Sequence, residues 1–329
     1  MILQKKMFSR RKFVGGALAT GFLSFAPHAV AGETTPGAGG GEVLKRMKLT
    51  RRTVHVGLAK PFSVVHASDS HIVRVSAADL GVMDEKAVTW YESRRAAFAN
   101  GIFGLAAAVS YARKESLPLF HTGDLIDFAS RASHSGIRQD MDGVDWFYAC
   151  GNHEFQGWNG GVPAIAHGTS KAARESGRRA YEKFVPNPIP VASRIIGGVN
   201  FVQYDNGGFS DYLAPQQFEA VKAEFAKGLP VVLLCHMPFW SEAVGEEILR
   251  THKGLTKDRI DTGYVQGRPD KPNWGGRLEM TEWLRKQEQL KAVLCGHLHH
   301  DLTDDFSPTA KQYVAAANYR GAVYRYDFV

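Results

Sequence analysis

The chain of 329 residues carries 40 basic and 33 acidic residues, which give a formal net charge of +7. Residues 1–31 hold five basic residues and no acidic ones, so the remainder has 35 basic and 33 acidic residues and a charge of only +2. Proteins that bind nucleic acid stably do so through clustered positive charge, and no basic run interleaved with aromatic residues occurs here. We therefore expect no stable nucleic-acid partner.

An export signal is predicted at the amino terminus. Basic residues precede an apolar run from position 13 to about 26, and residues 29–31 (Ala-Val-Ala) fit a small-x-small cleavage site. The run is shorter than the ~20 apolar residues that a membrane span needs, so we expect no permanent membrane anchor. An uncleaved anchor and a charged tail remain alternatives. Residues 9–14 (SRRKFV) also resemble the twin-arginine signature, which implies the twin-arginine export machinery as a partner and a periplasmic or secreted protein.

A linker and one large domain are predicted to follow the signal. Residues 32–41 consist mainly of Gly, Thr, Pro and Ala, so we predict a flexible linker over 32–50. The domain is predicted to span 51–329, which is long enough to bury a deep core and contains neither a repeat nor a second linker. Within it we predict loop insertions at 72–86, 155–190 and 239–277.

Apolar runs and helical patterns alternate along this domain. Predicted strands lie at 63–67, 117–122, 146–150, 199–204, 231–235 and 292–295. Predicted helices lie at 87–114, 170–184, 215–227 and 277–289. Gly101 or Gly104 is expected to break or kink the first helix. The runs at 313–317 and 322–328 are predicted to pair with each other as closing strands.

Five of the predicted strands end in residues that bind metals. In open α/β sheets the carboxyl ends of the strands form the usual ligand-binding edge. If the strands lie side by side, their ends bring together oxygen and imidazole side chains from distant parts of the chain. These side chains are Asp69, His71, Asp124, Asn152, His236, His297 and His299.

This set of seven side chains suits two adjacent metal ions that share a bridging carboxylate. It contains no cysteine, so it favours Mn, Fe or Zn in a mixed nitrogen and oxygen shell over a cysteine-rich structural zinc site. Each fragment alone is weak evidence, because a Gly-Asp pair is usually a turn and a histidine at a strand end is more often a structural residue. Five such strand ends in succession are hard to obtain by chance.

The five blocks resemble, in order, the pattern of the calcineurin-like metallophosphoesterases: D-x-H, G-D-x-x-D, G-N-H-D/E, H and G-H-x-H. The resemblance implies an α/β fold with a central β-sandwich of two mixed sheets, flanked by helices in four layers, and a metal site at the carboxyl ends of the strands. It further implies that Asp124 bridges two ions. The implied ligands are Asp69, His71 and His299 for one ion and Asn152, His236 and His297 for the other.

Catalytic roles for His153 and Asp127 are implied by the same resemblance. His153 would protonate the leaving group or stabilise the transition state, and Asp127 would orient it. An imidazole titrates near neutral pH, and a carboxylate that accepts a hydrogen bond from one ring nitrogen selects the tautomer. A helix N-cap in the following loop remains the alternative for Asp127.

The implied activity is hydrolysis of a small phosphodiester or phosphomonoester, with metal-activated hydroxide attacking phosphorus and no covalent enzyme intermediate. His71 stands where purple acid phosphatases usually have glycine, so the pattern fits better with the branch that includes cyclic-nucleotide and phospholipid-headgroup phosphodiesterases. Two other functions stay open. A non-catalytic binding scaffold of the same fold is disfavoured by the complete ligand set, and a nuclease is disfavoured by the near-neutral charge of the mature chain.

Substrate choice is predicted to lie in the loops, since loops on a rigid scaffold commonly carry specificity. The 239–277 stretch holds Trp, Tyr, His and Arg residues among turn-forming Gly and Pro, and arginine suits phosphate oxygens. As substrate-binding candidates we name Trp158, Asn206 and Arg268. Surface charge or local packing remains the alternative for each.

The three cysteines, Cys150, Cys235 and Cys295, lie at or near the motifs on predicted core strands. An odd number in an exported protein could mean one disulfide and one free thiol. Their position inside the predicted core favours three buried, unbridged thiols instead.

Overall fold

The computed structural model describes residues 45, 47–154, 177–207, 215–261, 263–271 and 277–329. The predicted export signal, most of the linker and Trp158 lie outside the described residues. The described domain begins earlier than predicted, because Lys48–Val54 already forms a strand that pairs in parallel with Ala322–Phe328. The last residues of the predicted linker, from position 48 onward, therefore belong to the first strand of the domain.

The described strands and helices alternate over most of the chain. In chain order the strands are β1 Lys48–Val54, β2 Phe62–Ala67, β3 Leu119–Thr122, β4 Trp146–Ala149, β5 Val191–Ile196, β6 Val199–Tyr204, β7 Val231–Leu234, β8 Leu290–Cys295, β9 Leu302–Asp305, β10 Lys311–Val314 and β11 Ala322–Phe328. The helices are α1 Ala77–Leu80, α2 Glu85–Ala97, α3 Gly101–Glu115, α4 Arg131–Asp140, α5 Pro215–Phe225, α6 Glu242–Thr251 and α7 Arg277–Arg285. Short 3-10 turns lie at Glu182–Phe184, Lys257–Arg259 and Asn318–Arg320.

Two mixed sheets form the centre of the domain. The first has the order β1-β11-β2-β3-β4, in which β2, β3 and β4 are parallel and β11 is antiparallel to β2. The second has the order β5-β6-β7-β8-β10-β9, with the outer strands β5 and β9 antiparallel to their neighbours and the four inner strands parallel. The strands predicted to carry ligands are therefore neighbours within parallel blocks.

The sheets pack face to face through a shared aromatic core. The ring of Phe201 from the second sheet lies 4.8 Å from Phe120 and 5.3 Å from Phe328 of the first sheet, measured between ring centroids. A second apolar layer joins α3 and α4 to the first sheet, and a third joins α5, α6 and α7 to the second. This helix–sheet–sheet–helix order confirms the predicted α/β sandwich.

The closing strand pair was a wrong prediction. β10 pairs with β8 and β9 in the second sheet, whereas β11 pairs with β1 and β2 in the first. The two runs have similar apolar patterns, and that pattern does not specify which sheet a strand joins. The crossing between them passes through Asn318–Arg320, whose Asn318 N–H donates to the Ser68 carbonyl beside the first motif.

The predicted helix over 87–114 is two helices. α2 ends at Ala97 and α3 begins at Gly101, so Gly101 marks the break. Gly104 lies inside α3 and is there for space, since a Cβ at this position would lie 2.1 Å from the Asn318 carbonyl oxygen. All three cysteines are buried and unbridged, as predicted. Within the described residues, no helix combines the length and the apolar character needed to span a membrane.

Candidate metal centre

The ligand-bearing strand ends of the two sheets meet and are joined by cross-sheet hydrogen bonds. His236, which follows β7, places its Nδ1 2.8 Å from the Thr122 carbonyl oxygen at the end of β3. The His297 N–H, beyond β8, donates to Asp69 Oδ2 beyond β2 at 3.0 Å. The site therefore lies where the carboxyl ends of β2, β3, β7 and β8 come together.

Left-handed backbone turns the side chains inward at these ends. Among the described residues, five of the six non-glycine residues with positive φ belong to the predicted ligand set, the exception being Ser116. Non-glycine residues in this region are strained and persist where the surrounding structure holds them, often at functional sites. The five are Asp69, His71, Asp124, His297 and His299.

Asp69, His71, Asp124 and His299 form the first cluster, with one ligand atom of each within 4.8 Å of all the others. His71 Nε2 lies 3.8 Å from Asp69 Oδ1 and 3.6 Å from Asp124 Oδ2. His299 Nε2 lies 3.4 Å from Asp69 Oδ1 and 2.9 Å from His71 Nε2. All but His299 are buried. These are the residues predicted for one ion, together with the predicted bridge.

Asp124, His236 and His297 form the second cluster. His236 Nε2 lies 3.2 Å from Asp124 Oδ2 and 3.1 Å from His297 Nδ1. The Asn152 Oδ1 atom is 3.1 Å from the same His236 nitrogen, so Asn152 joins this cluster as predicted from its motif. Asp124 alone belongs to both clusters, the position that a bridging carboxylate requires.

Hydrogen bonds on the outer sides of the rings select which nitrogen faces inward. His71 Nδ1 lies 2.8 Å from Asp127 Oδ1, and His297 Nε2 lies 2.7 Å from the Gly263 carbonyl oxygen. The Thr122 carbonyl serves His236 in the same way. Carboxylate and carbonyl oxygens accept hydrogen bonds, so each of these outer nitrogens carries a proton and the other ring nitrogen faces inward. The inward nitrogens of His71 and His299 lie 2.9 Å apart, and those of His236 and His297 lie 3.1 Å apart, an arrangement that a shared cation stabilises.

The buried charges also favour cations. Burial would raise the pKa of Asp69 and Asp124, but contacts with His299 and His236 hold both pKa values below the ordinary range. Burial lowers the pKa of His297 to about 4, which leaves its ring neutral at physiological pH. For His236, burial is outweighed by Asp124, whose charge raises the pKa to about 10. The carboxylates thus draw positive charge to the point between these side chains.

Glycines let the motif loops approach one another. A Cβ at Gly296 would lie 2.3 Å from Asp69 Oδ2, and one at Gly151 would lie 2.2 Å from Asp124 Oδ1. Any larger residue at these two positions would displace a predicted ligand. The glycines that precede Asn152 and His297 are therefore required for steric reasons.

His153 and Asp127 lie beside the first cluster. His153 Nδ1 is 3.0 Å from Asp127 Oδ1, and its Nε2 is 3.8 Å from Asp124 Oδ2. Burial lowers the pKa of His153, but the charges of Asp124 and Asp127 raise it by more than burial lowers it. The pKa of His153 therefore lies above its ordinary value. The N-cap of the following helix is Ser130, whose hydroxyl accepts from Ser133 N–H, so Asp127 is not the cap.

Two charged residues at the site carry roles that the motif pattern did not assign. Arg94 of α2 donates from Nε and Nη2 to the two carboxylate oxygens of Asp127 at 2.5 and 2.7 Å. Glu154 accepts from Leu125 N–H at 2.7 Å and from Gly151 N–H at 3.0 Å, joining the loops of the second and third motifs. The Glu154 position was a sequence signal, since it follows Asn152 and His153. No local signal marks Arg94.

Asn206 holds the backbone at His236, a predicted metal ligand. Its Oδ1 accepts from His236 N–H at 2.9 Å and Met237 N–H at 3.0 Å, and its Nδ2 donates to the Met237 carbonyl at 2.8 Å. Asn206 is 4% exposed, so these partners engage a buried amide. The structure thus gives Asn206 a structural role, and its role in substrate binding stays a prediction.

Arg268 likewise stabilises its own loop. Its guanidinium donates to Asp270 at 2.6 and 2.8 Å and to the carbonyl oxygens of Lys257 and Ile260 at 2.5 and 2.7 Å. It also stacks over Trp240, 4.5 Å from the ring centroid. These contacts occupy the charged group that the prediction assigned to substrate. The loop nevertheless reaches the centre through Gly263, whose carbonyl contacts His297.

The family model described as calcineurin-like phosphoesterase matches residues 62–301. No curated protein matches in sequence. A dimetal phosphatase from Danio rerio is similar in structure, with 14% identity, a TM-score of 0.41, and coverage of 79% of this chain and 88% of that chain. Phosphopantetheinyl hydrolase from Mycobacterium tuberculosis has 15% identity and a TM-score of 0.37 over 81% and 91%.

The purple acid phosphatase of yellow lupin (Lupinus luteus) seeds has 15% identity and a TM-score of 0.44, over 79% of this chain and 44% of that chain. At these identities and scores the structural neighbours carry no argument about substrate. The family match covers most of the chain and includes every ligand position described above. The chain therefore belongs to the calcineurin-like phosphoesterase family and is a metal-dependent phosphoesterase.

Proposed function

We propose that this chain hydrolyses a small phosphodiester or phosphomonoester at a dinuclear metal centre outside the cytoplasm. The observation that carries the proposal is the pairing of inward histidine nitrogens, His71 with His299 and His236 with His297, around the shared Asp124 carboxylate. This donor set of imidazoles, carboxylates and one amide fits Mn, Fe or Zn. An active site that only transferred protons would not need four ring nitrogens and a shared carboxylate directed at one point.

The two clusters divide the ligands. Asp69, His71 and His299 would hold one ion, Asn152, His236 and His297 the other, and Asp124 both. Bound ions at such a centre neutralise phosphoryl charge and lower the pKa of water, which supplies the nucleophile. The protein contributes the fixed ring orientations and the buried carboxylates described above.

His153 is assigned the proton transfer to the leaving group. Its Nδ1 is held by Asp127, so the free Nε2 faces the bridging carboxylate and carries the proton that it can donate. Its upward-shifted pKa favours the protonated ring near neutral pH. Asp127 acts as its positioning residue because it contacts His153 and His71, and has no contact with Asp124 among those described.

The proposed location outside the cytoplasm rests on residues 1–31. Their basic segment, short apolar run and Ala-Val-Ala site form an export signal, and Arg10 and Arg11 supply the twin-arginine pair. Replacing both with lysine should retain the protein in the cytoplasm, as measured by cell fractionation. Export equal to that of the wild type would remove the twin-arginine machinery from the proposal.

The activity is tested with the full chain stripped of metal and reconstituted with Mn, Fe or Zn. We expect metal-dependent hydrolysis of bis-p-nitrophenyl phosphate, of p-nitrophenyl phosphate, or of both, and the ratio of the two rates decides between diester and monoester preference. Protein that binds metal yet hydrolyses neither ester would contradict the hydrolase proposal and favour the binding scaffold.

A further inference from the structure

The side chain of Arg94 joins helix α2 to the catalytic residues. Its Nε and Nη2 form a side-on bidentate pair with Asp127 at 2.5 and 2.7 Å. Asp127 is fully buried, whereas 21% of the Arg94 side chain is exposed. Arg94 therefore reaches from the surface of the helix to a buried carboxylate. Bidentate arginine–carboxylate pairs fix geometry as well as charge.

Asp127 is a shared acceptor for two residues with different tasks. Its Oδ1 receives His71 Nδ1 at 2.8 Å and His153 Nδ1 at 3.0 Å, besides Arg94 Nη2. Four donors therefore converge on this one carboxylate, three of them at Oδ1 and Arg94 Nε at Oδ2. The orientation of this one group therefore sets the ring of a metal ligand and the ring of the proton donor together.

Helix α2 is itself positioned against the site. Phe98, at the end of α2, stacks on the His71 ring with centroids 4.2 Å apart and planes 9° from parallel. The Arg94 guanidinium lies over the Phe98 ring at 4.7 Å and over the Trp90 ring at 5.3 Å. The last turn of α2 thus contacts His71 directly through Phe98 and indirectly through Asp127.

We infer that Arg94 is a positioning residue for the proposed reaction, holding Asp127 in the rotamer that orients His153. The inference rests on the proposed function and adds a residue outside the five motifs. A purely structural ion pair is the competing account. If the ion pair were purely structural, loss of Arg94 would lower the stability of the fold or lower kcat equally on all substrates. If Arg94 instead keeps the proton donor in place, its loss lowers kcat most on substrates with poor leaving groups.

The test compares two esters that differ only in the acidity of the departing phenol, methyl p-nitrophenyl phosphate and methyl phenyl phosphate. Arg94→Gln in the metal-loaded full chain should lower kcat on the phenyl ester about 10- to 100-fold, the range found for supporting residues. The loss on the p-nitrophenyl ester should be smaller, since that phenolate leaves without a proton. KM should stay near that of the wild type, and the rates are compared at saturating metal so that weaker metal binding through His71 does not enter kcat.

Arg95→Gln is the matched control, because Arg95 is the exposed neighbour on the same helix and, among the described residues, its guanidinium lies over Tyr91 and away from the metal site. It should behave as the wild type. Arg94→Lys keeps the charge but not the bidentate pair, so it should give an intermediate leaving-group effect, and it decides the question if circular dichroism shows that Arg94→Gln does not fold. Equal losses on both esters, or none, would overturn the inference.

If the wild type hydrolyses only monoesters, p-nitrophenyl phosphate and phenyl phosphate replace the two diesters in the same comparison. A wild type inactive on all four esters would instead overturn the proposed function and this inference with it. An active wild type with unaltered Arg94 variants would overturn the inference alone.

Discussion

His153 Nδ1 lies 3.0 Å from Asp127 Oδ1, and this contact fixes which ring nitrogen of His153 faces the metal ligands. The opposite nitrogen, Nε2, lies 3.8 Å from Asp124 Oδ2. A ring held at one nitrogen and open at the other is suited to proton donation, and His71, His236 and His297 are likewise held at the outer nitrogen with the other nitrogen facing inward. The same kind of hydrogen bond thus orients the proposed proton donor and the predicted metal ligands.

His153→Ala should lower kcat on phenyl esters about 10²- to 10⁴-fold, the usual contribution of general acid catalysis. Metal content should not change, because His153 belongs to neither ligand cluster that contains Asp124. Steady-state kinetics and elemental analysis on the same preparation check both expectations. Loss of metal along with activity would mean that His153 acts as a ligand.

The pH dependence of kcat should show an alkaline limb set by His153. Burial lowers its pKa, but Asp124 and Asp127 raise it to above the ordinary value, so the required proton is lost only as pH rises past that raised pKa. In Asp127→Asn one of the charges that raise the pKa is gone, and the limb should move to lower pH. A limb that stays in place in Asp127→Asn would assign it to another group.

Gly104→Ala should destabilise the domain by about 1–3 kcal/mol, because the new Cβ overpacks the interior. The added atom would lie 2.1 Å from the Asn318 carbonyl oxygen. Gly81→Ala is the control, since Gly81 has a right-handed φ of −63° and the nearest atom to its Cβ would lie 3.6 Å away. Urea unfolding of both variants measures the difference, and equal stabilities would show that α3 shifts without cost.

Asn206→Ala should destabilise the folded protein by about 1–3 kcal/mol, since it leaves buried N–H groups without an acceptor. The affected groups are those of His236 and Met237. KM should be unchanged in molecules that retain metal, because the amide is engaged by backbone. A raised KM with unchanged unfolding free energy would restore Asn206 as a substrate residue.

The ligand-bearing strand ends are predictable because each is a local pattern, a short apolar run followed by polar residues. Parallel pairing then places β2 beside β3 and β7 beside β8, and the face-to-face packing of the two sheets brings Asp124 and His236 together. The sheet assignment of β10 and β11 is not predictable in this way, because their apolar patterns are alike and long-range packing decides their partners.

Arg94 shows why supporting residues escape sequence reasoning. It reaches Asp127 across 33 positions of the chain, and only the packing of α2 against the motif loop brings the two together. For Asn206 and Arg268 the substrate-binding roles stay predictions, and the structure adds contacts that residue type alone does not indicate. Both side chains form hydrogen bonds with backbone groups of nearby loops, and residue type does not indicate these partners.

The central claim, a dinuclear centre bridged by Asp124, is tested most directly by counting metal ions per chain in the reconstituted wild type and in Asp124→Asn. We expect two ions in the wild type, with hydrolysis of bis-p-nitrophenyl phosphate or p-nitrophenyl phosphate, and loss of at least one ion and of the activity in the variant, because Asp124 belongs to both clusters. Two ions retained with full activity in Asp124→Asn, or no metal in the wild type, would contradict the account.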